Sequence, residues 1–270
     1  MKFKHLLLLA LLLFACRAAA SDIIPNPVRF ARSDGKFTID SRTVLLWDAP
    51  LHDAAVYLTD YLPLRRFAKT DIKSNHIALR LDRALPSEAY RLDIRPNGIV
   101  IAGGDYGGVF NGIQTLFQLL PPAVYSRTLR LPAEVGCCHI EDKPRFSYRG
   151  FSLDVARTWL PAHRVKRYID LLAYHKINKL HFHLTDDEGW RIEIKSHPEL
   201  ARVGGFRGGD SPVHPRYGKF DEKWGGYYTQ EELREIDRYA ASRNIEVIPE
   251  IDMPGHSKAL GAIRHDILCD

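Results

Sequence analysis

The sequence has little of what marks several common classes of protein. It has four cysteines in 270 residues, and their spacing excludes a C-x-x-C zinc pattern. The formal net charge is only +5 and no basic stripe with interleaved aromatic residues occurs, so nucleic acid is not an expected partner. No glycine-rich phosphate loop follows a predicted strand, which argues against a nucleotide-binding Rossmann fold. The remaining composition, 45% hydrophobic and 26% charged, is that of an ordinary globular protein.

The first twenty residues have the pattern of an export signal. Lys2 and Lys4 precede an apolar run over residues 6–15, which is too short to span a bilayer. Residues 1–20 are therefore predicted to be a signal peptide. The protein is expected in the bacterial periplasm, in the outer membrane as a lipoprotein, or outside the cell.

The end of this signal stays open between two patterns. Three alanines at residues 18–20 fit a cleavage site with small residues, whereas residues 13–16 resemble a bacterial lipobox. The second pattern would make Cys16 a lipid anchor. Export also permits disulfides, but spacing does not pair Cys137, Cys138 and Cys269, and burial as free thiols is as good an interpretation.

Residues 21 to about 140 predict an α+β domain. Two runs of alternating apolar residues flank Asn97-Gly98, which is a strong hairpin signal. Apolar residues then recur at helical spacing from Val109 to Leu120, and Pro121-Pro122 would stop that helix. Asp105 is interpreted as a turn residue.

From Phe146 onward strands and helices alternate. The strands are predicted in RGFSLDV, KLHFHL and IEVIPEI, and the two helices between them begin after Pro161 and at Thr229. This βαβαβ order implies a parallel sheet with right-handed crossovers. About 40 residues, 186–228, separate the second strand from the second helix, and a loop of that length is usually functional.

Polar side chains collect where these strands end. In a β/α barrel the carboxyl ends of the strands face the active site, so acids and a histidine from three successive strands would meet at one edge. The residues concerned are Asp154, Arg157, Asp186, Asp187, Glu188, Glu250, Asp252 and His256.

His181 and His183 offer an alternative, because both point to one face of their strand and could bind a metal. That arrangement would suit another class of enzyme, such as a metal-dependent deacetylase. Barrel interiors are packed with side chains, however, so histidines satisfied within the core are the favoured interpretation. No metal or organic cofactor is predicted.

Three stretches carry a family resemblance: YRGFSLDVARTWLP, INKLHFHLTDDEGWRIEIKSHPEL and GGYYTQEELREIDRYAASRNIEVIPEIDMPGH. In order and spacing they resemble the glycoside hydrolase family 20 β-N-acetylhexosaminidases, and GGVFNGIQTLFQLLP resembles the end of that family's small noncatalytic domain. The resemblance implies a noncatalytic α+β domain over residues 21–143. It also implies the beginning of a (β/α)8 TIM barrel over residues 144–270, with about three strands.

By the same resemblance Arg149 would bind sugar hydroxyls, and Asp186 or its neighbour Asp187 would orient His256 in a relay behind the general acid. The substrate would be a carbohydrate with a terminal N-acetylglucosamine or N-acetylgalactosamine. The substrate's own acetamide would act as nucleophile, with help from an adjacent Asp-Glu pair.

That pair belongs to an H-x-G-G-D-E motif in the family, and the 270 residues do not contain it. We therefore expect an N-terminal fragment of a hexosaminidase, inactive or nearly so by itself. The alternative is a noncatalytic glycan-binding protein built on a degenerate half-barrel.

Overall fold

The computed structural model describes residues 23–64, 66–67, 72–216, 218 and 221–267. The predicted signal peptide, with Cys16, and also Cys269 lie outside these ranges. No helix within them is long and apolar enough to cross a bilayer. The chain divides into two compact units, one made of residues up to Asp48 with Thr59–Lys143, the other of Ala49–Leu58 with the residues from Pro144 onward.

A seven-stranded mixed sheet forms the first unit. Its strands lie in the order β1-β7-β5-β6-β4-β2-β3. Strand β4 is parallel to β6 and β2, and β7 is antiparallel to β1 and β5. The strands are β1 (Arg29–Ile39), β2 (Val44–Trp47), β3 (Arg66–Phe67), β4 (His76–Leu81), β5 (Tyr90–Arg95), β6 (Gly98–Gly103) and β7 (Ala133–Asp142). Helix α1 (His52–Tyr61) contains the division between the units, and α2 (Tyr106–Leu119) belongs to the first.

The predicted hairpin and helix are both present. Arg95 pairs with Gly98, so the turn of the β5–β6 hairpin is Pro96-Asn97, one residue earlier than predicted. Helix α2 begins at Asp105, whose side chain accepts a hydrogen bond from the backbone N–H of Gly108 at 2.8 Å. Asp105 is therefore an N-cap, which satisfies one of the free donors of the first helical turn.

Three parallel strands in the order β14-β9-β8 organise the second unit. They are β8 (Gly150–Asp154), β9 (Lys179–His183) and β14 (Glu246–Glu250), connected through α3 (Ala162–Tyr174) and α5 (Gln230–Ala241). The predicted βαβαβ order and the parallel pairing are thus confirmed. That these strands begin a (β/α)8 barrel stays a prediction.

Short elements fill the rest of the second unit. Two small hairpins pair β10 with β11 and β12 with β13. These elements are β10 (Thr185–Asp186), β11 (Gly189–Trp190), α4 (Pro198–Arg202), β12 (Phe206–Arg207), β13 (Trp224–Gly225) and α6 (Lys258–Gly261).

The helices α3 and α5 form as their sequences predict. Val165 and Ile169 of α3 are fully buried, and so are Ile236 and Ala240 of α5. A capping box between Thr229 and Glu232 starts α5, because each side chain bonds the backbone of the other. Their apolar stripes hold the helices in place, so the strand ends and the loops after them are presented on a fixed support.

Candidate active site at the carboxyl ends of three parallel strands

The sheet register brings the predicted strand-end residues to one edge. Asp154, the last residue of β8, pairs with His183, the last of β9, and His183 pairs with Glu250, the last of β14. Parallel strands place their carboxyl ends on the same side, so these three side chains and the loops after them share one surface.

Asp186 lies at the centre of this surface. Its side chain is only 2% exposed, and its Oδ2 is 2.6 Å from Arg157 Nη2, 3.0 Å from His183 Nε2 and 3.4 Å from His256 Nδ1. Its Oδ1 accepts the backbone N–H of Asp187 at 2.6 Å. The structure therefore brings Asp186 and His256 together, as the sequence predicted.

The choice between Asp186 and Asp187 follows from the small β10–β11 hairpin. Asp186 pairs with Gly189 there and points inward. The carboxylate of Asp187 instead accepts the backbone N–H of Lys258 at 3.2 Å and lies 3.5 Å from Arg216 Nη1. Asp186 alone of the two contacts His256 among the described residues.

His256 reaches Asp186 from the turn after β14. Its φ is 52°, in the left-handed region that residues other than glycine seldom adopt. The side chain is about half exposed, at 52%. Its Nδ1 lies 3.4 Å from Asp186 Oδ2 and 3.4 Å from Arg157 Nη2.

Arg157 is fixed by two carboxylates. Asp154 Oδ1 accepts its backbone N–H at 2.9 Å, and Asp154 Oδ2 accepts Nη1 at 2.7 Å. Nη2 then contacts Asp186. The hydrogen bond that Arg157 donates to Asp154, with the charge of Asp186, raises the pKa of Arg157 above its ordinary value. Asp154 thus orients an arginine rather than merely forming a turn.

Arg149, the arginine that the resemblance assigned to sugar binding, is not part of this surface. It precedes β8, so it lies at the amino end of the strand, opposite Asp154. Its Nε donates to the carbonyl of Lys176 at 2.7 Å and its Nη1 to the carbonyl of Phe146 at 2.8 Å. The arginine that meets Asp186 and His256 is Arg157. Arg157 lies three residues after the strand, and the sequence had placed it among the side chains expected at this edge, since carboxyl ends carry the site.

His183 continues the chain of contacts away from Asp186. Its Nδ1 is 3.0 Å from Glu250 Oε2, which also contacts His181 Nε2. Burial opposes protonation of His183, but the hydrogen bonds to Asp186 and Glu250 outweigh burial and raise its pKa above 6.5. Burial likewise opposes ionisation of Glu250, yet the bond and charge of His183 lower its pKa.

Two groups here have the ligand atoms for a metal ion. They are His183 with Glu250 and Asp252, and Asp186 with Asp187 and His256. One nitrogen and two carboxylates suit several divalent ions. The cation of Arg157, 2.6 Å from Asp186, disfavours a metal in the second group. His181 and His183, the alternative metal pair, both contact Oε2 of Glu250.

Aromatic residues of the long loop pack on their own scaffold. Trp190 is 5% exposed and lies in an apolar cluster with Leu200 and Ala201. Tyr228 is fully buried, with its ring centroid 4.6 Å from that of Trp159. These contacts place both side chains in the packed interior of the second unit.

Comparison with known families finds two matches that together cover most of the chain. Residues 146–270 match the family model described as glycosyl hydrolase family 20, catalytic domain. Residues 20–143 match the one described as glycosyl hydrolase family 20, domain 2.

Curated relatives give the same picture. The chain is 43% identical to a β-hexosaminidase of Vibrio furnissii, over 91% of this chain and 39% of the relative. It is 40% identical to a β-hexosaminidase of Porphyromonas gingivalis, over 92% of this chain and 32% of the relative. The chain therefore spans well under half the length of these relatives.

Solved structures are similar over the same part. A family 20 exo β-N-acetylglucosaminidase of Vibrio harveyi, in complex with N-acetylglucosamine, matches with a TM-score of 0.83 and 36% identity, over 92% of this chain and 39% of that one. An N-acetyl-β-hexosaminidase of Streptomyces plicatus matches with a TM-score of 0.78 and 41% identity, over 88% of this chain and 47% of that one.

Proposed function

Because the chain belongs to glycoside hydrolase family 20, we propose that it is part of a β-N-acetylhexosaminidase. The reaction would release terminal non-reducing N-acetyl-hexosamine residues from glycans or chitin oligomers, with retention and with the substrate's acetamide as nucleophile. The observation that carries this proposal is the buried Asp186, which Arg157 and His256 both approach at the carboxyl edge of the sheet.

We assign Asp186 and His256 to a supporting relay. A buried carboxylate fixes the orientation of an imidazole that it contacts. The imidazole of His256 would then contact the general acid, and this contact would adjust the pKa of that acid. His183 and Arg157 also contact Asp186 Oδ2, and Arg157 Nη2 lies 3.4 Å from His256 Nδ1, so the four side chains form one cluster.

We assign sugar binding to Arg157 rather than to Arg149. A guanidinium presents five N–H donors in a fixed fork, and Asp154 and Asp186 do not use all of them. The side chain is 38% exposed at the edge where a ligand would lie. Vicinal hydroxyls of a sugar ring match such a fork, because adjacent donors can serve adjacent oxygens.

We further propose that the 270 residues do not turn over substrate by themselves. The sequence has no H-x-G-G-D-E, which would supply the acetamide-orienting Asp and the acid/base Glu. The three parallel strands would be the first of a (β/α)8 barrel, and the signal at residues 1–20 would send the protein out of the cytoplasm.

An aryl N-acetyl-β-glucosaminide assay tests this assignment. The mass-verified 270-residue chain should release no aryl alcohol above background. A fusion of this chain to the remaining barrel of the Vibrio furnissii relative should release it, and Asp186→Asn in the fusion should reduce kcat at least tenfold. The fusion with Arg149→Lys should keep its KM, whereas Arg157→Lys should raise it.

Two results would contradict the proposal. One is strong turnover by the 270-residue chain, and the other is an active fusion that is indifferent to Asp186→Asn. Sugar binding by a folded fusion that never turns over would favour the glycan-binding alternative.

A further inference from the structure

Two buried arginines of the long loop bond the backbone immediately after β8. Arg191 is 0% exposed, and it donates from Nε to the carbonyl of Val155 at 3.0 Å and from Nη2 to that of Ala156 at 2.7 Å. Arg207 is 4% exposed and donates from Nη1 to the carbonyl of Arg157 at 2.8 Å. Three successive carbonyls, ending at Arg157 itself, are thus satisfied by the two guanidinium groups.

The other donors of Arg191 tie this segment to the rest of the loop. Nη1 donates to the carbonyl of Gly226 at 3.1 Å and to that of Gly205, and Nη2 approaches the carbonyl of Glu188 at 3.4 Å. All hydrogen-bond partners of Arg191 within the described part of the chain are backbone carbonyls. Burial lowers its pKa to about 10, so it remains a cation at neutral pH.

The loop is shaped to leave room for this guanidinium. A Cβ on Gly189 would lie 2.3 Å from Arg191 Cζ, closer than any side chain permits. A Cβ on Gly225 would lie 3.0 Å from Arg191 Nη1, and the φ of Gly225 is 144°, which L-residues rarely adopt. The glycine in DDEGW is therefore required by the arginine two residues later.

Arg207 has a counterion, whereas no carboxylate among the described residues pairs with Arg191. Its Nη1 contacts the buried carboxylate of Glu188, and its guanidinium lies 4.8 Å above the ring of Trp224. Glu188 in turn accepts the backbone N–H of Arg216 at 2.8 Å. We call Arg191 and Arg207 the arginine clamp.

We propose that the arginine clamp positions Arg157, holding its backbone so that its guanidinium reaches Asp186. The planar fork of Arg191 spans two adjacent carbonyls, which a lysine ammonium cannot do with the same geometry. Without the clamp, two buried carbonyls and the partly buried carbonyl of Arg157 would lose their donors, and the segment would move. The proposal deepens the proposed function, since it rests on the sugar-binding role given there to Arg157.

Arginine-selective NMR tests the clamp without any sugar, so its result is independent of the hexosaminidase assignment. In the full chain labelled with [15N]arginine, Arg157→Lys identifies the Nε–H resonance of Arg157. The Asp186→Asn variant gives the change in chemical shift of this resonance when Arg157 loses its contact with Asp186. Arg191→Lys and Arg207→Lys should each move the resonance by most of that shift.

Arg243→Lys is the matched control. Arg243 is a buried arginine that pairs with Asp170 between α3 and α5, with Nε 2.6 Å from Oδ1. Its replacement should lower the unfolding midpoint and leave the Arg157 resonance in place. The Arg207→Lys variant keeps a cation next to Glu188 and is therefore expected to fold. It provides the test if Arg191→Lys does not fold. An unmoved Arg157 resonance in the folded clamp variants would overturn the proposal.

Discussion

Replacing Asp186 by asparagine removes the negative charge that three basic side chains share. Its Oδ2 lies 2.6 Å from Arg157, 3.0 Å from His183 and 3.4 Å from His256. Asparagine has nearly the same shape, so the perturbation reports the charge and not the packing. We expect a large loss of stability, because basic groups would remain near a buried position with no carboxylate.

The magnitude follows from burial. Removing one partner of a buried ion pair costs about 3–5 kcal/mol of the free energy of unfolding. Arg157 is 38% exposed and keeps its contact with Asp154, so solvent and the second carboxylate offset part of that cost. The expected loss is about 2–3 kcal/mol, which lowers the urea midpoint by roughly 1–2 M for a domain of this size.

The loss should depend on pH through His183. Its pKa is raised in the folded state above 6.5 by hydrogen bonds to Asp186 and Glu250 that outweigh burial. A raised folded-state pKa gives stability that is complete below the unfolded-state value and disappears as pH rises through the folded-state value. The difference between the parent chain and Asp186→Asn should therefore be larger near pH 5.5 than near pH 8.5.

Tryptophan fluorescence during urea unfolding measures both effects, since three of the four tryptophans, Trp159, Trp190 and Trp224, belong to the second unit. Asp187→Asn is the control. That neighbour is 15% exposed and 3.5 Å from Arg216, so its loss should cost no more than about 1 kcal/mol. Equal losses in the two variants, or a loss that does not change with pH, would refute the reasoning.

Three smaller predictions follow from the packing. Gly189→Ala should lower the free energy of unfolding by about 1–3 kcal/mol in urea melts, because the new Cβ would clash with Arg191. Gly136→Ala is the control, since a Cβ there would meet no atom within 4 Å and should cause no such clash. Thr229→Ala should cost about 1 kcal/mol by thermal melting, since it removes the capping box of α5. Cys137 and Cys138 are buried, and burial raises the pKa of Cys138 to about 11. A thiol reagent should therefore label these two cysteines slowly until urea is added. Rapid labelling of Cys137 or Cys138 in the native chain, identified by peptide mass, would contradict the described β7.

Local pattern was enough to predict the three parallel strands and the two connecting helices of the second unit. The periods of the apolar residues, Pro161 and the Thr229 capping box are signals carried by neighbouring residues, and the structure follows them. The order of the seven-stranded sheet could not be predicted in this way. β1 pairs with β7, for example Arg29 with Glu141, and no local signal links residues so far apart.

The strand ends predicted which side chains meet at the candidate site, whereas the sugar-binding role of Arg149 came from the resemblance alone. Asp186 and His256 both follow strands, and they meet. Arg149 precedes its strand, so its fork bonds carbonyls at the wrong end, while Arg157 follows the same strand. The role of Arg191 left no trace in composition or spacing. A buried cation bonded to carbonyls is visible only after the loop has folded around it.

The most direct test of the central claim is a titration of the 15N-labelled chain with N-acetylglucosamine, followed residue by residue. The account predicts saturable shifts, with a dissociation constant of about 1 mM or tighter, centred on Arg157 and His256 and lost in Asp186→Asn. Shifts centred on Arg149, or the lack of any saturable shift, would contradict a sugar site at the carboxyl edge of these three strands.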